Sequence, residues 1–600
     1  MKLLVDIETN GLLDELTTIH CIVAKDVDSG VVHSFRPSEI GKGIALLESA
    51  DELIAHNGIK FDIPAIKKLY PSFKSPTMTD TLVCTRLIWS HIKEDDAVRL
   101  KEDPTFPRKL FGSHSLKAWG YRLGNLKGDY ANQDAAWDVF SEEMLTYCQQ
   151  DVEVTADLYA EIVRQNYSEQ ALTLEHQVAW IMAKQERNGF VFDEAKASEL
   201  YRDLVAKRMD ITSKLDGLFK PWVIYEQVKT PVRTVNYKDV TRASTVAGCA
   251  YTPIKIMEFN PSSRQHIANR LEKVRGWKPK EFTKGGQAKV DETTLSGLPF
   301  PEAKVMAEYF MIQKRIAQLA EGAQGWMKVV KGGRIHGSVN SNGAVTGRAT
   351  HAYPNIAQIP SCSAPYGREC RELFTVPKGW KLMGADASGL ELRCLGHFTA
   401  AYDGGSYIKE LLEGDIHTAN QIAAGLPDRN SSKRFIYAFL YGGGDQLIGE
   451  LVGGGRKKGK QIKDRFLSKT PALAELRDQV MEAAEKRGFI YGLDRRRIHC
   501  RSPHSSLNAL LQSAGGIICK QWLVQFVKAM KAEGFRHGWD GDFAMCAWVH
   551  DEIQVACKAE VADRIGEIAV ATIQEVTDIF NFKCPLDGEF NVGDNWAETH

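Results

Sequence analysis

The chain opens on a period-two alternation of apolar and polar positions, LLVDIET at residues 3–9, followed by TIHCIVAKD and VVHSF. This pattern predicts three strands, the second a hairpin neighbour of the first. Helical spacing then takes over in AIKKLY, in SLKAWGYRLG and in a long run from about Trp137 to Gln165, so residues 1–165 read as an α/β unit. From about 170 to 330 the period is largely helical, as in LTLEHQVAWIMAKQERNG, but residues 219–258 lose it and read as extended and loop-rich. After Gly332 strand signals return in RIHGSV and KLMGAD. Long helices follow to about 530, and AMCAWVHDEIQVAC then predicts a hairpin. That hairpin is expected to join the strands near 334–386 in one sheet, with a helical insertion between them.

Six hundred residues exceed what one hydrophobic core organises, so several domains are expected. Lys plus Arg and Asp plus Glu both number 76, so overall charge argues neither for nor against a nucleic-acid partner. The twelve cysteines show no CxxC pair, which fits a reducing compartment. The acidic Asp6 and Glu8 break the apolar run a secretion signal needs, and no stretch approaches membrane-spanning length. A soluble, unexported protein with no membrane association is expected. The basic stretches GGGRKKGK and Arg495–Arg497 read as solvated loops.

Asp6 and Glu8, two apart on a strand, leave the same face of the sheet. Such acids repel unless a divalent cation lies between them. A further acid, Asp62, follows Asn57 in HNGIKFD at a helix start, and Tyr147 and Asp151 stand one helical turn apart in YCQQD. On a single helix over 137–165, Phe140, Tyr147, Asp151 and Leu158 share a face. Singly, each acid reads better as a surface or capping residue; the ordered set is much harder to reach by chance. Four carboxylates suit two Mg²⁺ ions cleaving a phosphodiester, with Tyr147 orienting the attacking water. Residues 1–165 thus resemble the RNase H-like 3′-5′ proofreading exonuclease domain of the DnaQ-like superfamily, which implies Asp6, Glu8, Asp62 and Asp151 as metal ligands.

In the C-terminal half, DASGLELR puts Asp386 where a strand ends, with the Ala387 carbonyl beside it, and VHDE puts Asp551 in the predicted hairpin turn. Two such oxygens across a sheet suit a hard cation, which would explain why apolar strands carry an acidic turn. Between them, LPDRNSSKRFIYAFLYGGG predicts a helix beginning at Pro427 and stopped by glycines. On it Arg429, Lys433, Tyr437 and Tyr441 repeat every four residues as a ridge of two cations and two aromatic rings, suited to a triphosphate and a base.

DASGLELR, RxxxKxxxYxxxYG and VHDE, in this order, resemble motifs A, B and C of family A DNA polymerases. GAVTGRATHAYPNIAQIP, GDIHTANQIAA and RSPHSSLNALLQSAG bring the likeness nearest to replicative members from T-odd podophages. The resemblance implies an α/β multidomain protein: exonuclease domain 1–165, then a right hand with thumb 166–330, palm 331–398, fingers 399–507 and second palm part 508–600. It implies two Mg²⁺ held by Asp386, Ala387 and Asp551, and two more at the exonuclease site. His417, Arg429 and Lys433 would contact dNTP phosphates, Tyr437 would stack near sugar and base, and Glu391 would exclude a 2′-OH. Arg348, Tyr441, Gln512 and His550 would lie along the minor groove of primer-template DNA.

Expected partners are primer-template DNA, dNTPs, a helicase-primase and a single-stranded DNA-binding protein, with the enzyme acting as a monomer in the cytoplasm of an infected bacterial host. The podophage relatives carry a sizeable basic thumb insertion that captures host thioredoxin. Residues 219–258 are short and modestly basic here, so weak or no thioredoxin dependence is expected. A repair or organellar family A polymerase would share this chemistry. A nuclease with a DNA-binding C-terminal part is disfavoured by the intact Asp386, Asp551, Lys433 and Tyr437, and an RNA polymerase by Glu391 and the exonuclease motifs.

Overall fold

The computed structural model describes residues 1–126, 130, 137–238 and 244–600. The chain forms two compact units, one of residues 1–191, 336–359 and 374–600, the other of residues 192–335 and 360–373.

The first unit begins with strands β1 (Lys2–Thr9), β2 (Ile19–Asp26), β3 (Val32–Phe35), β4 (Glu52–Ala55) and β5 (Thr77–Asp80), ordered β3-β2-β1-β4-β5. β1 pairs antiparallel with β2 and parallel with β4, a mixed sheet with buried faces on both sides. The alternation in β1 sorts its side chains. Leu3, Val5 and Ile7 join one apolar cluster, while Leu4 joins another with Met144, Tyr147 and Cys148. Asp6 and Glu8 share the face of Leu4, so β1 turns its two acids toward helix α3 (Glu142–Arg164). Helices α1 (Asp62–Leu69) and α2 (Thr81–Ile88) follow β4 and β5, and α4 (Glu169–Asn188) leads on from α3.

In the second unit, α5 (Glu194–Leu218) packs on α6 (Pro301–Ile316) with the ion pair Lys207–Glu308 at 3.0 Å, and just past α6 Glu321 pairs with Arg208 at 2.8 Å. Within 219–258 the described residues include an antiparallel hairpin, β6 (Trp222–Tyr225) with β7 (Ile254–Met257), which exposes Tyr225, Val232 and Ile256.

The rest of the first unit centres on a second sheet. Short strands β8 (Ser338–Asn340) and β9 (Thr350–Ala352) pair with each other. β10 (Trp380–Ala387) lies between β14 (Glu552–Lys558) and β15 (Gly588–Gly593), with β13 (Phe543–Val549) outside β14; β11 (Phe489–Tyr491) and β12 (Arg497–His499) form a separate hairpin. All neighbours in the four-stranded sheet are antiparallel. Gly384 lets the chains close up, since a Cβ there would meet Gln554 at 2.4 Å and the Thr599 carbonyl at 2.5 Å. Its helices include α7 (Leu390–Asp403), α8 (Ile416–Ala424), α9 (Arg429–Leu440), α10 (Ser506–Ala532) and α11 (Ala562–Ile579). Met383, Ala385, Ile553 and Val555 share one core with Trp522 and Phe526 of α10 and Ile573 of α11. Each large side chain buried there contributes about 1.5–3 kcal/mol.

Several expectations need correction. Of GGGRKKGK only the three glycines form a loop, because Arg456–Lys469 is a helix. The helix read from about Trp137 begins at Glu142: Ser141 has extended backbone and its hydroxyl accepts from Met144 N–H at 3.0 Å, so Phe140 precedes the helix. RIHGSV does not enter the main sheet, because its end, Ser338 and Val339, pairs with Ala352 and His351. Asp428 rather than Pro427 starts α9, its carboxylate accepting from Ser431 N–H at 2.8 Å.

Candidate active sites

In the N-terminal site, ligand atoms of Asp6, Glu8 and Cys148 lie within 4.8 Å of one another. Asp62 and Asp151 are both buried. Burial, then the charges of Asp80 and Asp151, push the Asp62 carboxyl up to about 7. Burial, then Cys21 and Asp6, push the Cys148 thiol up, so it stays protonated and donates to Asp6 Oδ2 at 3.3 Å. The crowded oxygens fit a divalent cation, which would offset their repulsion; the protonated thiol is a donor to one of them. Asp6 and Asp151 open onto a cleft of about 590 Å³ that His56, Asn57, Lys60 and Lys117 also line. Tyr147 is buried with its ring against Tyr130 and Trp137, at 5.7 and 6.0 Å between centroids.

Sequence reading missed Asp80. Its carboxylate accepts from Asn57 N–H at 3.0 Å, Ile59 N–H at 3.1 Å and Leu82 N–H at 2.9 Å. One buried side chain therefore caps α2 and fixes the loop that delivers Asp62. An Asp directly before TLVCTRLI is a readable cap; its second task crosses from one βα connection to another.

In the C-terminal site, the register sets Asp386 opposite Glu552, and Ala387 N–H donates to the Asp551 carbonyl at 3.1 Å. β13 and β14 are joined by His550 and Asp551, with His550 in the left-handed region at φ 60°. Burial, then the charges of Asp551 and Glu552, push Asp386 up to about 7. Burial and then Glu391 raise Asp551. The charge of Asp551 thus opposes ionisation of Asp386, a repulsion that a divalent cation would offset.

Asp551, Arg348, Glu391, Tyr441 and His550 line one cleft of about 350 Å³. There the Tyr441 hydroxyl donates to Glu391, and the Arg348 guanidinium lies 3.8 Å from Glu391 and 5.6 Å from the centre of the Tyr441 ring. Gln512 donates to Asn508 at 3.2 Å on α10. On α9, Lys433 is exposed, and Arg429 pairs with Asp415 at 2.8 Å, the residue that caps α8. Tyr437 is raised by burial, then by Glu391 and Asp551, and its ring lies 6.4 Å from that of His417. The ridge breaks at its end: α9 stops at Leu440, and Tyr441 follows it at the cap, where Asn508 donates to the Leu440 carbonyl at 2.6 Å.

Arg496, read in sequence as part of a solvated basic loop, is instead fully buried between Asp494 and Glu175. No local spacing signals this, because Glu175 lies on α4.

Two acidic clusters thus stand apart in the chain, one on the N-terminal mixed sheet and one at the turn between β13 and β14. The chain belongs to DNA polymerase family A, whose model matches residues 236–598, and residues 3–163 match the RNase H superfamily. It is 42% identical to the DNA-directed DNA polymerase of Enterobacteria phage T3 and to that of Escherichia phage T7, in each case over 99% of both chains. At 26% identity over 57% of this chain and 39% of the relative it also matches DNA polymerase I of Pseudomonas aeruginosa. The POL domain of Pol1 from M. smegmatis, solved in complex with DNA primer-template and dNTP, has a similar fold, with TM-score 0.73 and 17% identity over 100% of this chain and 96% of that one. Both families are generally metal-dependent. Among the described residues no helix is long and apolar enough to cross a membrane.

Proposed function

We propose that this family A DNA polymerase serves phage DNA replication by extending primers on a DNA template at Asp386 and Asp551 and by proofreading the 3′ end at Asp6, Glu8, Asp62 and Asp151. The reading rests above all on the main-chain bond between Ala387 and Asp551, which joins the strand end carrying Asp386 to the turn carrying Asp551, far apart in sequence. In it, residues 1–165 are the exonuclease domain, 166–330 the thumb, 331–398 and 508–600 the palm, and 399–507 the fingers.

Asp386, Asp551 and the Ala387 carbonyl would hold two Mg²⁺, and the four N-terminal acids two more. When bound, such ions lower the pKa of the attacking oxygen and neutralise charge on the leaving one. The chain's own residues do the rest. Arg429, Lys433 and His417 bind the triphosphate, and Tyr437 offers a ring to sugar and base. Glu391 fills the space a 2′-OH would need. Arg348, Tyr441, Gln512 and His550 contact minor-groove acceptors that are similarly placed in every base pair, so they test pair shape rather than sequence. Tyr147 orients the water at the trimming site.

The partners in this reading are primer-template DNA, dNTPs, a helicase-primase and a single-stranded DNA-binding protein. The enzyme works as a monomer in the cytoplasm of the infected bacterium and does not require thioredoxin. A large gain in product length on adding thioredoxin would refute the last point.

The test is a labelled primer-template with Mg²⁺, with and without dNTPs. Extension with dNTPs and trimming without them are expected. Asp386→Ala should abolish only extension, and Asp6→Ala with Glu8→Ala only trimming. Loss of both activities from either change in a folded protein would refute the two-site division.

A further inference from the structure

A buried four-charge cluster stands behind both sites and belongs to neither. Glu175 of α4, Asp494 and Arg496 beside β12, and Lys520 of α10 are at most 2% exposed and sum to zero charge. Arg496 binds Glu175 Oε1 at 2.7 Å and Asp494 Oδ2 at 2.6 Å, and Lys520 pairs with Glu175.

The remaining bonding capacity of the cluster goes to one segment, residues 338–348. Ser341 donates to Glu175 Oε2 at 2.8 Å, Arg496 to Asn342 Oδ1 at 3.1 Å, and Lys520 to the Gly347 carbonyl at 2.7 Å. The segment also closes on itself, with Gly343 and Ala344 N–H both donating to the Arg348 carbonyl at 3.1 Å. Gly347 has φ +79°, and a Cβ there would meet the Arg496 guanidinium at 2.9 Å, so the turn is built around this contact.

The two ends of the clamped segment reach different sites. At its start, Ser338, Val339 and Asn340 line the cleft of Asp6 and Asp151, where Ser338 accepts from Lys60 at 3.0 Å. Asn342 donates at 2.6 Å to the carbonyl of Arg86, another wall residue of that cleft. At its end, Arg348 lines the cleft of Asp551 against Tyr441 and Glu391.

We infer that residues 338–348 are a strap held by the Glu175, Asp494, Arg496 and Lys520 cluster, which sets Arg348 at the polymerase site and the cleft wall at the exonuclease site together and so fixes how a primer end partitions between them. This rests on the two-site reading above. Ser341 and Asn342 are positioning residues: they act on this partition through Arg348. Loosening the strap withdraws Arg348 from the duplex and favours the trimming site.

The experiment compares the parent with Ser341→Ala, Asn342→Ala, Arg348→Ala, the double variant Ser341→Ala with Arg348→Ala, and a core control, Ile573→Val. For each, excision of a paired primer end is divided by its extension at fixed dNTP, and trimming of a single-stranded oligonucleotide and the melting temperature are recorded. The ratio should rise about fivefold or more in Ser341→Ala and Asn342→Ala, with single-strand trimming by Ser341→Ala within about twofold of the parent. The control should leave it unchanged, and the double variant should match Arg348→Ala, because the effects share one route. A ratio within about twofold in both strap variants, or effects that multiply in the double variant, would overturn the inference. A parent that fails to trim or extend would instead sink the two-site reading.

Discussion

The indole N–H of Trp596 donates to Oε1 of Glu552 at 2.5 Å, in a buried position where Gln554 donates to the same oxygen at 2.6 Å. His600 lies 3.0 Å from the other carboxylate oxygen. The acidic pair in VHDE is thereby divided: Glu552 is held inside the sheet by side chains, while Asp551 lines the cleft. Replacing Trp596 with Phe leaves Glu552 short of a donor beside Asp386, whose carboxyl it already raises. Extension by Trp596→Phe should fall about tenfold, equivalent to about 1.4 kcal/mol. Single-strand trimming should stay at the parent rate; equal loss of both activities would mean general misfolding instead.

Asp80 makes the converse case at the trimming site. Its carboxylate receives main-chain N–H groups from two connections, and Asp80→Ala removes their acceptor, at a cost of about 1–3 kcal/mol for the buried Ile59 N–H, which water does not reach. Trimming should drop steeply because the loop before Asp62 loses its anchor. Extension by the folded fraction should persist. Timed excision and extension on one protein preparation distinguish these.

Glu391 is held by the Tyr441 hydroxyl and faces Arg348, so its carboxylate has a defined position in the cleft. If it occupies the space of a 2′-OH, Glu391→Ala should increase ribonucleotide incorporation relative to deoxyribonucleotide by roughly 10- to 100-fold. Competitive incorporation opposite a single template base measures the ratio. An unchanged ratio would remove Glu391 from sugar selection.

What could be read from sequence depended on how far each signal reaches. Period-two alternation in LLVDIET and TIHCIVAKD marked a strand pair and set Asp6 and Glu8 on one face, because a strand's side-chain period is local. The acidic turn of VHDE was legible for the same reason. The start of α3 was misjudged because Trp137 and Phe140 carry apolar signal into a stretch that the Ser141 cap ends. Arg496 and Glu175 were illegible, since burial of a charge depends on a partner contributed by a distant helix. Spacing also does not reveal that Trp596 and Gln554 claim Glu552.

His537 carries a pH dependence outside both sites. Its Nε2 accepts from Met545 N–H at 3.1 Å and faces the Asn188 amide at 3.0 Å, and its ring stacks on Phe543 with centroids 4.6 Å apart. The ring must be neutral there. Burial, then the charges of Lys184, Lys531 and Arg187, hold it down to about 3, against about 6.5 in an unfolded chain. Between those values the unfolded chain takes up a proton that the folded one refuses. The stabilisation is therefore complete above about pH 6.5 and drains away as pH falls toward 3. For this partly exposed ring the loss from pH 7 to pH 5 should be about 1–2 kcal/mol. His537→Gln keeps an uncharged polar side chain that does not titrate. Its urea-unfolding free energy should be lower than the parent's at pH 7 but should decline less on acidification, by about that amount. Parallel declines in the two proteins would show that this imidazole does not govern acid sensitivity.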